Sequence, residues 1–444
     1  MQHRRAFLGT GVTAWLAAAA EKLPESPAGP IKTPRSTSGD SVVEPDWAER
    51  MTVTVGTANA ELVGSTEKVL QAAVDTVARW GGGTVKILPG TYRLRNSVFL
   101  HSNIRILGSG VDTVLIKEPS VKTKLSEDSD WYDQEVTLAD ASGFQVGDGI
   151  CLRAKNPHDN GALVAKRTLV ARSGNRFKLD RALRENFWLS GAPTASTLFP
   201  ILTGEFINGV TIENIALDGN KTQNENLDGN YAGCIFIQDC SKFQIRNVTA
   251  RNYNGDGISW QICHDVIVED CHSHDNTGLG LHPGSGSQRP VIRRNKMDRN
   301  DQGLFFCWGV KFGLAEKNTI TDSRRFGISI GHRDTDNLVR DNDVRGSAEV
   351  GILFRKERGE GYQPHRNRIE NNRIVDVGKE TAIGIDIQGP TRQITIRGNE
   401  IRESKAPGKR MGVRIGAETA MIALTDNRIE GFNEAVVDLR KKPA

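Results

Sequence analysis

Imidazoles and cations gather between positions 282 and 356 of this 444-residue chain. His282, His332, Arg333, Arg355 and Lys356 stand there with Trp308. A base beside a cation is what proton abstraction next to a carboxylate requires. The base takes the proton while the cation neutralises the acid. His282 and His332 are the candidate proton acceptors, and Arg355 and Lys356 the candidate neutralising charges. Arg333 can grip a carboxylate or sulfate through two parallel bonds. Trp308 offers a flat face to a sugar ring, and Gln261 a polar contact beside it. Asp256 and Asp301 suggest a second chemistry. At two rungs of a stacked sheet they would lie ~10 Å apart, near the carboxyl separation of an inverting glycosidase. Asp275 falls between them in sequence.

These residues need a scaffold, and the chain repeats one. A glycine followed by apolar, any, apolar recurs at Gly257, Gly278, Gly303, Gly327, Gly351, Gly384 and Gly412. Spacings of 21 to 33 residues mark a stacked, quasi-one-dimensional architecture. Alternation within each copy makes each a strand. Residues one and three after each glycine should face the core. Those two and four after it should then face solvent as two rows, with rungs ~4.8 Å apart. His282, His332 and Arg355 would crowd one end of that face. Nothing in solenoid packing asks for stacked like charges.

An asparagine recurs at the bends, as Asn214, Asn247, Asn295, Asn318, Asn342, Asn372, Asn399 and Asn427, with Asp270 replacing it once. Asn tolerates left-handed backbone and its amide can bond along a stack, so this row reads as structural. Residues 66–80 carry helical periodicity, with Ser65 or Thr66 as cap and Gly81-Gly82-Gly83 as stop, and form a natural lid on the exposed solenoid end. Residues 119–205 break the repeat and read as an inserted β-rich lobe, carrying Trp131 and Trp188, that could wall a groove.

A formal charge of +4 is too small to indicate nucleic acid. His3-Arg4-Arg5-Ala6-Phe7-Leu8, an apolar stretch and four alanines through Ala20 form an export signal resembling the twin-arginine type. Residues 21–50 read as a linker and 51–440 as one β-helical domain. The expected location is periplasmic or extracellular, with no membrane span once the signal is removed, and the expected state is a monomer. Six cysteines fall at core positions, and reduced thiols are expected, although Cys240 and Cys263 sit at equivalent places on adjacent coils.

The run 71–116, beginning QAAVDTVARWGGGTVKILPGTYRL, resembles the start of pectate-lyase-like right-handed parallel β-helix proteins, as do the coils from about 206 to 440. The resemblance implies an all-β, right-handed parallel β-helix with an N-terminal capping helix. It leaves activity open, since the superfamily holds lyases, hydrolases, epimerases and non-catalytic members. Around Asn254-Gly255-Asp256 the chain is similar to polygalacturonases, with Asp256 on the Asp of their Asn-Thr-Asp motif. Thr277-Gly278 stands where those enzymes pair two aspartates, and Gln302-Gly303 where they carry Gly-His-Gly. His282-Pro283 partly resembles the Asp-Pro-His segment of alginate epimerases, with Leu281 in the Asp position. Calcium-dependent pectate lyases cluster acids on this sheet, whereas the two rows here hold only Asp386, so no cofactor is expected and calcium has little support. The expected activity is β-elimination on an acidic polysaccharide, uronate or sulfated. The alternatives are a hydrolase using Asp256 and Asp301, or a non-catalytic glycan binder or envelope scaffold.

Overall fold

The computed structural model describes residues 46–359, 361–378, 381–405 and 409–441. The expected signal (1–20) and nearly all of the linker (21–50) lie outside them. The chain divides into two compact units, 1–49 and 50–444. Of the first, only a turn of 3-10 helix, Trp47–Glu49, is formed among the described residues.

In the second unit, short strands pair in parallel with the strand one coil later. Eleven, from Val98–Phe99 to Glu434–Asp438, form a first wall. Two further walls run beside it, through Ile267–Glu269, Val291–Arg293 and Leu314–Glu316, and through His272–His274, Lys296–Asp298 and Thr319–Thr321. Their inward side chains fuse into one apolar core containing Ile258, Trp260, Leu281, Leu304, Ile328, Ile352 and Ile385. This is the parallel β-helix that the glycine repeat predicts. Among the described residues no helix is long and apolar enough to cross a membrane.

The glycine has a steric cause. A Cβ on Gly257 would stand 2.7 Å from the carbonyl oxygen of Gly280, one on Gly280 would stand 2.6 Å from that of Gly303, and the contact recurs at 2.5–2.8 Å through Gly303, Gly327, Gly351 and Gly384. Only a residue without a side chain fits there. The same contacts correct the repeat frame. Ile258 pairs with Leu281, and Leu281 with Leu304, so the repeat glycine that follows Gly257 is Gly280 and not Gly278. A two-residue slip leaves inward and outward faces unchanged, so the alternation of Gly-Leu-Gly-Leu fits both frames equally.

At one bend the asparagines do bond along the stack. Asn295 Nδ2 donates to Asn318 Oδ1 at 3.0 Å, Asn318 to Asn342 at 2.8 Å, Asn342 to Asn372 at 2.9 Å and Asn372 to Asn399 at 3.0 Å. The left-handed backbone, however, belongs to the residue before, such as Arg294, Lys317 and Asp341, while Asn214, Asn247 and Asp270 occupy that earlier position themselves. Left-handed residues on successive coils also pair across the gap. Arg289 grips Asp265, Arg294 grips Asp270 and Arg299 grips Asp275, each through two bonds of 2.7–2.9 Å.

The lid is the helix Glu67–Arg79, which buries Leu70, Ala73, Val74 and Val77 on the first coils. Thr66 is its N-cap residue but makes no side-chain capping bond. The inserted lobe is a six-stranded sheet between Lys122 and Ser196. Its antiparallel pairings set it apart from the coils, and it has its own core around Leu152, Leu169, Phe177 and Phe187. All six cysteines are buried and free.

Asn342→Ala would orphan the buried Asn318 backbone N–H, take one of two acceptors from the Asn318 side-chain amide and remove the donor to the Ala315 carbonyl, and should lower stability by about 2–4 kcal/mol in chemical denaturation. The Arg partners hold Asp265, Asp270 and Asp275 below the ordinary value of 3.8. Their folded forms therefore bind fewer protons than the unfolded chain, so this stabilisation is complete above pH 4 and is lost as pH falls below it. A melting temperature that drops below pH 4, with the Asp265→Asn/Asp270→Asn/Asp275→Asn triple variant dropping less, is the expected result. High salt should shrink the difference, since these pairs are exposed.

Candidate functional site

With the frame set by Gly280, the outward row of the first wall runs Phe236, Ser259, His282, Phe305, Ser329, Leu353. His282 thus belongs beside Ser259 and Phe305, not in the row of Gln261 and Arg355 expected for it. The expectation that both rows face solvent is also corrected. Ser259, Gln261, His282 and Ser329 are buried, because segments between coils fold back over the wall.

Over the strand Asp256–Gln261 the cover is the segment from Asn224 to Tyr231. Gly229 lies directly on Asp256, so that a Cβ there would meet Asp256 Oδ2 at 1.6 Å, and the Gly229 carbonyl accepts the Ser259 hydroxyl at 2.7 Å. Beneath it, Asp256 Oδ1 accepts the Leu279 N–H at 2.8 Å and Oδ2 lies 2.8 Å from His282 Nδ1. A carboxylate at Nδ1 places the proton there, which leaves Nε2 with its lone pair. Nε2 has no partner, and neither has Gln261 Oε1. Only 3% of the His282 side chain is exposed. The inserted lobe fastens the cover: Arg153, Lys122 and Ser196 bond Glu225, and Lys166 Nζ donates to the Tyr231 carbonyl at 2.6 Å.

Phe305 joins this dyad to the cations. The His282 ring stands edge-on to it at 5.4 Å and the Arg355 guanidinium lies over it at 4.2 Å. Arg355 donates to Ser329 Oγ at 2.6 Å and to the Phe306 carbonyl at 2.8 Å. It also sits 3.5 Å from both Asp334 and Glu357. Asp334 accepts the N–H groups of Gly309, Val310 and Gly331. Burial pushes its carboxyl up to about 7, opposed by Arg355 and those N–H groups. The crowding of like charges read from the sequence is therefore relieved by interleaved acids. Towards the turn, His332 is sandwiched between Trp308 and Tyr362, 4.7 Å from each ring, and faces Glu357 at 3.5 Å. Arg333 covers the Tyr362 ring at 4.3 Å. Trp308 is 51% exposed, with Arg358 5.9 Å from its ring.

His282, His332 and Arg355 accordingly share one wall, together with Asp256, Gln261, Trp308 and Arg333. Lys356 does not join them and points out to Glu418 at 3.3 Å. Asp301 does not face Asp256, because it is gripped by Arg325 while Asp256 faces His282. Asp275 pairs with His274 and Arg299 at a bend. Ser259 and Phe305 fall in the outward row read from the sequence and Glu357 at its turn, without being site candidates, while Asp334 and Tyr362 are missed. The signal for Tyr362 is the longest glycine spacing, 351 to 384, whose extra residues return over His332. Among the described residues no group of three or more His, Cys, Asp or Glu is arranged to hold a metal ion.

Residues 208–360 match the family model described as a right handed beta helix region. The chain folds as a right-handed parallel β-helix. The A-module of mannuronan C-5 epimerase AlgE4 from Azotobacter vinelandii aligns with this β-helix at a TM-score of 0.51 and 14% identity, covering 87% of this chain and 100% of that one. PfbA, a surface adhesin of Streptococcus pneumoniae, aligns at 0.55 and 12% identity, covering 86% and 93%. At such identities the likeness is one of fold alone. No curated protein matches the sequence.

Histidine modification by diethylpyrocarbonate should spare His282 in the native β-helix and reach half-exposed His101. Gly229→Ala must displace the cover from Asp256, and His282 should then react at a rate approaching that of His101, as read by peptide mapping.

Proposed function

We propose that the β-helix is an exported enzyme acting on an acidic polysaccharide, and that it cleaves a uronate-containing chain by β-elimination. The observation that carries this reading is the dyad: Asp256 fixes the proton of His282 on Nδ1 and leaves Nε2 unpartnered. That nitrogen is a base oriented by a carboxylate, in a water-poor setting. His282 takes the C5 proton, the C4–O bond breaks as the double bond forms between C4 and C5, and the departing oxygen takes back a proton from the imidazolium so formed. Arg355, across Phe305, neutralises charge growing on the uronate carboxylate. Trp308, Tyr362 and Arg333 hold neighbouring sugars, and His332, flanked by two rings, stiffens that platform. Lys356 and Asp301 have no part in this centre. The segment at Gly229 must lift for the chain to reach His282. The fold likeness to an enzyme named for mannuronan epimerisation supports the substrate class, since epimerisation at C5 begins with the same proton.

One observation favours a second reading, a glycan binder without turnover: the closed cover over His282. The likeness to a surface adhesin agrees with it.

A screen of acidic polysaccharides, followed by the ultraviolet absorbance of unsaturated uronate, separates the two. Turnover should fall by about 10²–10⁴-fold in His282→Ala or Asp256→Asn, while Trp308→Ala should mainly raise KM. Binding without new absorbance, indifferent to His282, would leave the binder. Solvent deuterium entering C5 without absorbance would instead mark epimerisation.

A further inference from the structure

Between the inserted lobe and the start of the first wall lies a second cavity, of about 230 Å³. It is not part of the centre around His282. The coils contribute Asn96, Phe99, Thr203 and Glu205, and the lobe contributes Lys166, Arg167, Thr168, Asp180 and Arg181.

Two of its cations have no bonded acid. Lys166 Nζ donates to the Tyr231 carbonyl at 2.6 Å and lies 3.9 Å from the centre of the Phe236 ring. Arg167 gives its bonds to three backbone carbonyls, those of Arg181, Lys166 and Ala182. Desolvated cations without a bonded acid are unfavourable, and here Glu205 and Asp180 offset the burial only in part. Burial accordingly pushes the Lys166 amine down to about 8 and lowers Arg167 as well. The remaining charges are partly committed. Arg181 stands 3.5 Å from Glu205, and Asp180 Oδ1 accepts the Thr168 N–H at 2.7 Å. Asp180 Oδ2 and Glu205 Oε1 remain open to a hydroxyl donor. Phe99 is 42% exposed and lends an apolar face.

Two cations for one carboxylate, two carboxylate oxygens for hydroxyls and one aromatic ring are the complement of a sugar acid. The space is smaller than the roughly 300–1,000 Å³ of ordinary ligand sites, and so admits one ring and not two. We propose that this cavity binds a single uronic acid residue, free or at a chain end, with its carboxylate against Lys166 and Arg167 and its hydroxyls against Asp180 and Glu205. This goes beyond the elimination reading and does not rest on it.

The test is protection of Lys166 in the full-length chain. Reductive methylation with formaldehyde at pH 8, mapped by mass spectrometry, reads the amine without turnover. Glucuronate, galacturonate or mannuronate at ten times its dissociation constant should slow labelling of Lys166 about tenfold. Exposed Lys178 should label at an unchanged rate, and glucose and inorganic phosphate should protect nothing. Short oligouronates should protect as free uronate does. Lys166→Met should abolish uronate binding in calorimetry, and Lys166→Arg should keep a measurable part of it. His282→Ala should leave protection intact, so that loss of turnover and loss of this site are told apart. No protection by any uronate, equal protection by phosphate, or protection by long polymer alone would each overturn the proposal.

Discussion

Everything in this molecule depends on the closeness with which one coil sits on the next. Where the first wall begins, a carbonyl oxygen occupies the space that a side chain would need, coil after coil. The contact admits only glycine and fixes the register of every strand that follows it. With the register fixed, outward residues of neighbouring coils become neighbours for good. Ser259, His282 and Phe305 are 23 residues apart in sequence and adjacent in space. A solenoid thus builds a polar constellation with no long-range loop closure, and each member is held by the backbone ladder of its own coil.

The same closeness sets an electrostatic condition. Cations stacked at one rung repel, and the wall answers by threading acids between them. Arg355 has Asp334 and Glu357, and His332 has Glu357. At the bends Asp265, Asp270 and Asp275 each receive an Arg from the next coil. Where the lobe meets the coils, Lys166 and Arg167 bond backbone carbonyls, with Asp180 and Glu205 lining the same cavity.

The coil architecture was legible in the sequence because its cause is local. A glycine, an alternating apolar pair and a bend asparagine repeat at each coil, and each has one physical reason. The lid helix and the insertion were legible for similar reasons, as a change of period. The wall carrying His282, His332 and Arg355 followed from the alternation. The rung did not, since Gly278 and Gly280 satisfy the alternation equally and only the carbonyl contact distinguishes them. Nor could the alternation show that this outward face is covered, because the cover comes from residues 224–231, which have no period at all. Asp334 escaped for the same reason: it stands in a turn, where the strand pattern has ended.

The cover gives the inserted lobe a mechanical meaning. Glu225 is held by three groups of the lobe and Tyr231 by a fourth, and between them Gly229 rests on Asp256 with no room for a methyl group. Moving the lobe, or neutralising the groups that tie it, therefore loosens the contact over His282. Lys166 belongs to both places, bonding the cover at Tyr231 and lining the second cavity. The Tyr231 carbonyl takes one of the three Lys166 ammonium protons, so a sugar acid in the cavity would share this amine with the cover.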